Sequence, residues 1–194
     1  MKTQRLYRPI GLKELELILS ANPHAYPPRL SWQPIFYPVL NFDYAAQIAH
    51  DWNTKDAGSG FCGFVTEFEI SSAYLQQFEV QNVGGHEHNE LWIPAEQLQE
   101  FNGQIVGEIK VTAAFYGKEY VGKIESSDRF NQMDAKDQYS YFLKEMENGE
   151  NLQKLVQQEW IAVQANMGFW KQIEGANDGL LEQIEIILDF GRKK

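Results

Sequence analysis

The run HEHNE, residues 86–90, alternates two imidazoles and a carboxylate: His86, His88 and Glu90. In an extended segment alternate side chains project to one side. Imidazole with carboxylate suits zinc, iron or manganese, so one reading of the run is a metal site. The plainer reading is a polar loop. Glu90 opens the apolar run ELWIP, at the entry of a strand, where a carboxylate is held firmly and still faces a cleft; the alternative is a solvated strand-end acid. Arg8, on the first strand candidate, reads as a surface ion-pair partner. Tyr7 and Tyr37 read as packing residues whose hydroxyls reach water. Cys62, between Phe61 and Gly63 with no neighbouring histidine, reads as a buried structural thiol. Gly58, Gly60 and Gly63 have neither the GxGxxG order nor a following Lys-Ser/Thr, which disfavours a kinase-like or dinucleotide-oxidoreductase role.

Short elements must position these residues. Residues 4–10 form a strand candidate carrying Tyr7 and Arg8, ended by Pro9 and Gly11. A helix follows over 12–19, with Leu12, Leu15 and Leu19 on one stripe and Glu14 and Glu16 outside it. Four of the seven prolines lie in 22–34, which reads as an ordered loop. IFYPV, 35–39, is a second strand that Pro38 limits to an edge or an end. Asn41 is a helix N-cap, with Tyr44, Ala45, Ile48, Ala49 and Trp52 as the apolar face of a helix that stops by about Asn53. NTKDAGSG, 53–60, is small and polar throughout and reads as flexible.

Residues 61–70 alternate cleanly as a strand, with Phe64, Thr66, Phe68 and Ile70 on one side. Ser71 or Ser72 caps a brief helix through Phe78, and Gly84 and Gly85 allow a turn before His86. Residues 91–94 are a short strand, 95–101 a helical turn or two, and 105–111 the next strand, with Ile105, Ile109 and Val111 on one face. Beyond Phe115 the texture changes. Residues 125–133 are loop-like, 139–147 and 152–169 are helical by periodicity, and 180–190 is a final helix or strand. The layout is α+β: residues 1–120 hold short strands and helices, and 121–194 form a helical C-terminal extension packed on that core, since most inter-strand segments are too short for regular βαβ crossovers.

With 194 residues and 43% hydrophobic content the chain can bury a full core. Its 17 basic against 27 acidic residues, net -10, argue against sequence-independent binding to nucleic acid or anionic membrane. One cysteine excludes an intrachain disulfide and a Cys-rich zinc site, and favours a reducing compartment. The start MKTQRLYRPI lacks the apolar core of a signal peptide, and no apolar run approaches the roughly 18 residues of a membrane span. The expectation is a cytoplasmic protein.

LYR at 6–8 on a first strand followed at once by a helix, IFYPV before an alanine-bearing helix, and a Glu leading ELWIP together resemble the ADP-ribosyltransferase-like fold. The nearest parallels are members related to DNA-modifying toxins and to RNA 2'-phosphotransferases. More closely, the chain is similar to a bacterial group that carries the label "ADP-ribosylation/crystallin J1", although it has neither the helical length nor the paired-aspartate motifs of the crystallin J1 relatives. The resemblance covers roughly the first 115 residues and implies a split mixed β-sheet with NAD bound across it. It implies an Arg or His on the first strand holding the dinucleotide, matched here by Arg8 with Tyr7 beside it, and an aromatic on nicotinamide, for which Tyr37 is the candidate. It also implies a Glu fixing the ribose and steadying an oxocarbenium-like transition state, matched by Glu90. The second strand lacks the serine-threonine-serine run of the arginine-modifying enzymes, and His88 stands two before the Glu, as a substrate-binding candidate, where they carry Glu or Gln. NAD is then the co-substrate and the acceptor a protein or nucleic acid. A non-enzymatic protein-interaction module using the acidic surface and the C-terminal helices is the alternative.

Overall fold

Alternation along the two longest early strands sets the architecture. The computed structural model describes residues 2–21 and 23–191, and of 189–191 the backbone only; Asn22, at the head of the proline loop, lies outside the described residues. They fall into two compact units, Met1–Tyr120 and Val121–Lys194. In the first, β1 (Thr3–Ile10) turns at once into α1 (Leu12–Ala21). After the proline loop come β2 (Ile35–Phe36) and α2 (Phe42–Asp51). β3 (Cys62–Ser71) leads into α3 (Ser72–Leu75), β4 (Val80–Asn82), β5 (Asn89–Leu91), β6 (Ile93–Pro94), α4 (Leu98–Asn102) and β7 (Ile105–Tyr116).

β3 pairs antiparallel with β1 on one side and β7 on the other. Leu6, Phe64, Phe68 and Ile70 are buried on one face. There Tyr26 of the proline loop packs its ring on Phe36 and Phe68, at 4.9 and 5.2 Å, and shares a hydrogen bond with Thr66. Its backbone exchanges two further bonds with the Asn102 side chain. This anchorage makes the loop an ordered arm. The other face is covered by α2, whose Tyr44, Ala45 and Ala49 pack with Val39 and Val65. Asn41 caps α2, its side chain accepting from the Tyr44 N–H at 2.8 Å. At the close approach of α2 to β3, a Cβ on Gly63 would lie 2.2 Å from the Ala49 carbonyl.

The runs 35–39 and 89–94 face each other in one antiparallel register, Ile35 opposite Pro94, Phe36 opposite Ile93 and Val39 opposite Glu90. Val39 also bridges Tyr7, so the three-stranded sheet and the short β4–β5 ladder are joined through one residue. The expected mixed sheet does not form: every described strand pair is antiparallel. α1 and the proline loop return the chain to the end of β1 that it left, so the next run descends beside β1 in the opposite sense.

Several boundaries differ from the sequence reading. Pro9 lies inside β1, and Pro38 and Trp92 interrupt the two runs that were expected as continuous strands. Glu16 is buried, not outside the stripe of α1. Ser71 makes no side-chain cap to α3, which ends at Leu75. The 53–60 stretch is two consecutive 3-10 turns, 53–55 and 57–59. Asp56 fixes the second by accepting from the Gly58 N–H and the Ser59 hydroxyl, and the Ser59 bond above all holds its carboxyl below the ordinary range. Composition alone could not reveal this, because a flexible linker and an Asx-capped turn use the same small polar residues.

Cys62 is buried, and desolvation pushes its thiol up to about 12. The reactive thiolate is therefore scarce at neutral pH. Ellman's reagent should leave the native protein unlabelled and take up one equivalent in denaturant; rapid native labelling would refute the burial.

The second unit is helical: α5 (Ala135–Glu147), α6 (Leu152–Gln158), α7 (Trp160–Trp170) and α8 (Asp178–Gly191). The single helix expected over 152–169 breaks at Glu159, which leaves helical geometry (φ -109°, ψ 28°). The Ser127 hydroxyl donates to its buried carboxylate, with Arg129 3.5 Å away, so a specific tertiary clip overrides the periodicity. Inside the unit Asn166 donates to Gln138 and to the Gly122 carbonyl, and Gln138 to Gly122 and Met133, a polar network that satisfies its own members. Among the described residues no helix is long and apolar enough to cross a membrane.

Candidate functional site

Arg8, Tyr7 and Glu90 stand on three neighbouring runs of backbone, and their side chains separate. Directly opposed residues in a sheet share a face, so the Tyr7–Val39–Glu90 line of bridges puts Tyr7 and Glu90 on the face covered by α2. Tyr7 packs there edge-on against Phe42 at 5.9 Å. Glu90 is 9% exposed, and Trp92 Nε1 donates to its Oε1 at 2.6 Å. Desolvation first, then the Glu90 charge, raises the Tyr44 hydroxyl above its ordinary value, which sets the carboxylate near that ring. Arg8, one residue after Tyr7, emerges on the opposite face, its guanidinium 5.0 Å from the centre of the Phe36 ring. The expected convergence of Arg8 and Glu90 in one cleft does not form, because their positions differ by one step of the strand period.

The two histidines also diverge. His86 is almost fully exposed and pairs with Glu87. His88 accepts from the Gly85 N–H at Nδ1 and meets Gln47 Oε1 through Nε2 at 3.0 Å, an arrangement that fits the Nε2–H tautomer. Its ring stacks on Tyr44 at 4.4 Å. His86, His88 and Glu90 thus each have a different partner, and among the described residues no group of three or more His, Cys, Asp and Glu could hold a metal ion. Alternation failed as a guide here because the Gly84–Gly85 turn carries His86 out of the strand. Tyr37 stands edge-on to Trp92 at 6.2 Å, and its carbonyl accepts from Arg8 Nη1 at 3.0 Å.

What Arg8 lines is a cleft of about 460 Å³, walled by α1, the proline arm and the turns at 53–59. Arg8 and Arg29 both enter it, with side chains only 11% and 9% exposed. Arg29 is tethered by its Nε to the Ile35 carbonyl at 3.2 Å. Glu14 lies between the two guanidiniums, 3.5 Å from Arg8 Nε and 4.0 Å from Arg29 Nη1. Neither distance is that of a good hydrogen bond. Arg8 Nε and Glu14 Oε1 are buried and make no hydrogen bond within the described protein. Desolvation chiefly, and then repulsion from Arg8, lower the Arg29 guanidinium from its ordinary value. Among the described lining residues three cations, Arg8, Lys13 and Arg29, face two carboxylates, Glu14 and Asp56, in a chain whose net charge is -10. At the mouth Trp32 is 74% exposed, with Leu30 and Leu17 beside it.

Such a cleft suits a ligand with anionic groups at one end and a flat or apolar part at the other. The sequence reading found Arg8 but missed Arg29, Glu14 and Trp32. The one signal for Arg29 was its place after Pro27-Pro28, a pair that stiffens the backbone presenting it; Glu14 looked like an ordinary solvated helix acid. No known protein family, curated protein or solved structure matches this chain.

Proposed function

We propose that this α+β protein is an ADP-ribosyltransferase-like NAD-binding protein, with the dinucleotide in the Arg8 cleft and its pyrophosphate against Arg8 and Arg29. The observation that carries the reading is the partly buried, under-compensated pair of guanidiniums on the first strand and the proline arm. A second supports it: the three runs on which the resemblance rests, with LYR, IFYPV and the Glu of ELWIP, lie side by side, bridged at Tyr7, Val39 and Glu90. Transfer chemistry asks for a carboxylate at the ribose as positive charge builds there. Glu90 faces away from this cleft and is engaged by Trp92, so the geometry favours binding over Glu90-dependent turnover.

The test is calorimetric titration with NAD together with nicotinamide release, in wild type and Glu90→Gln, with protein and nucleic acid acceptors present. We expect NAD to bind both with the same Kd. Failure of the wild type to bind NAD would sink the reading and leave the protein-interaction module. Release by the wild type that is lost in Glu90→Gln would restore the transferase with Glu90 as its catalytic residue.

A further inference from the structure

Two guanidiniums held close together in a partly buried cleft repel one another, and a charge left there without a partner costs several kcal/mol in general. Glu14 reduces that cost without removing it. It bridges both arginines at 3.5 and 4.0 Å, distances at which the Coulomb attraction survives while the bidentate hydrogen bonding that guanidinium offers is not used. Asp56, the other carboxylate of the cleft, is already engaged by Gly58 and Ser59. Arg8 Nη1 and Arg29 Nε are fixed on the backbone carbonyls of Tyr37 and Ile35. The arginines are thus positioned by the scaffold, and Glu14 supplies charge more than it supplies geometry.

We propose that Glu14 is a resident competitor of the ligand. Its carboxylate occupies the field between Arg8 and Arg29, and a phosphate or pyrophosphate group that enters takes over the two guanidiniums at its expense. Glu14 thereby lowers the affinity of the cleft for phosphate anions while stabilising the ligand-free fold. This rests on the preceding reading only in taking NAD as the carrier of the pyrophosphate; the anion site itself follows from the three side chains.

Inorganic pyrophosphate and NAD are titrated separately into the wild type, Glu14→Gln and Glu14→Asp, with a melting curve of each protein without ligand. Neutralising Glu14 should tighten pyrophosphate binding by roughly threefold to tenfold, since one negative charge at contact distance is removed from the site. The same variant should melt at a lower temperature than the wild type. A shortened carboxylate competes less, so Glu14→Asp should fall between the two in affinity, and it carries the test should Glu14→Gln not fold. Weaker or unchanged binding in these variants would overturn the inference, because losing a merely structural glutamate would lower affinity and stability together. So would a failure of pyrophosphate to bind any of the three proteins. Tighter binding of pyrophosphate in Glu14→Gln with no binding of NAD to any protein would uphold the competitor and discard the dinucleotide.

Discussion

Arg8→Ala should raise the Kd for NAD by roughly tenfold to a hundredfold, the range spanned by losing a charge-assisted bond of about 1.5–3 kcal/mol. Its guanidinium is held in place by the Tyr37 carbonyl and the Phe36 ring before any ligand arrives, so little ordering entropy opposes its use. Arg8→Lys should recover only part of the affinity, because an ammonium cannot keep the fork that bonds a carbonyl and a phosphate at once. Raising the salt concentration should weaken the wild type more than Arg8→Ala, since the variant has less charge to screen. Calorimetry at two ionic strengths reads all three. An Arg8→Ala Kd within twofold of the wild type would remove Arg8 from the binding machinery.

The largest effect on stability is expected from Gly63→Ala. The added methyl would lie 2.2 Å from the Ala49 carbonyl and 2.6 Å from its Cα, both backbone atoms of α2, so the helix must shift off the sheet. Overpacking usually costs about 1–3 kcal/mol, and a rigid backbone obstacle belongs at or beyond the top of that range. Gly103→Ala is the control: its nearest obstacle is the Glu100 carbonyl at 3.3 Å, and an effect within about 1 kcal/mol is expected. Denaturant melts of the two variants make the comparison. Equal midpoints would mean that α2 does not approach β3 as closely as described.

The local elements were legible where one face of an element is apolar and its ends carry a physical signal. Asn41 announced the start of α2 because an Asn side chain satisfies an orphan N–H there, and the alternation of Phe64, Thr66, Phe68 and Ile70 marked β3 because that whole side is buried. The break at Glu159 was not legible, since it depends on Ser127 and Arg129, some thirty residues earlier. The candidate site was half legible. Arg8 was marked only by the resemblance, as the cation of LYR on the first strand, and which face it takes relative to Glu90 depends on a register fixed by Val39, which no pattern in either strand reveals. Arg29 and Glu14 reach Arg8 only through the path of the proline arm and the packing of α1, and nothing in their own sequence neighbourhood carries that.

The most direct test follows backbone amide resonances of the isotope-labelled protein while NAD is added. Binding in the Arg8 cleft predicts shifts concentrated at residues 8–14, 29–33 and 53–59, with the Trp32 indole among the largest, and little change at 86–92. Shifts centred instead on His88, Glu90 and Trp92, or none at saturating NAD, would contradict it.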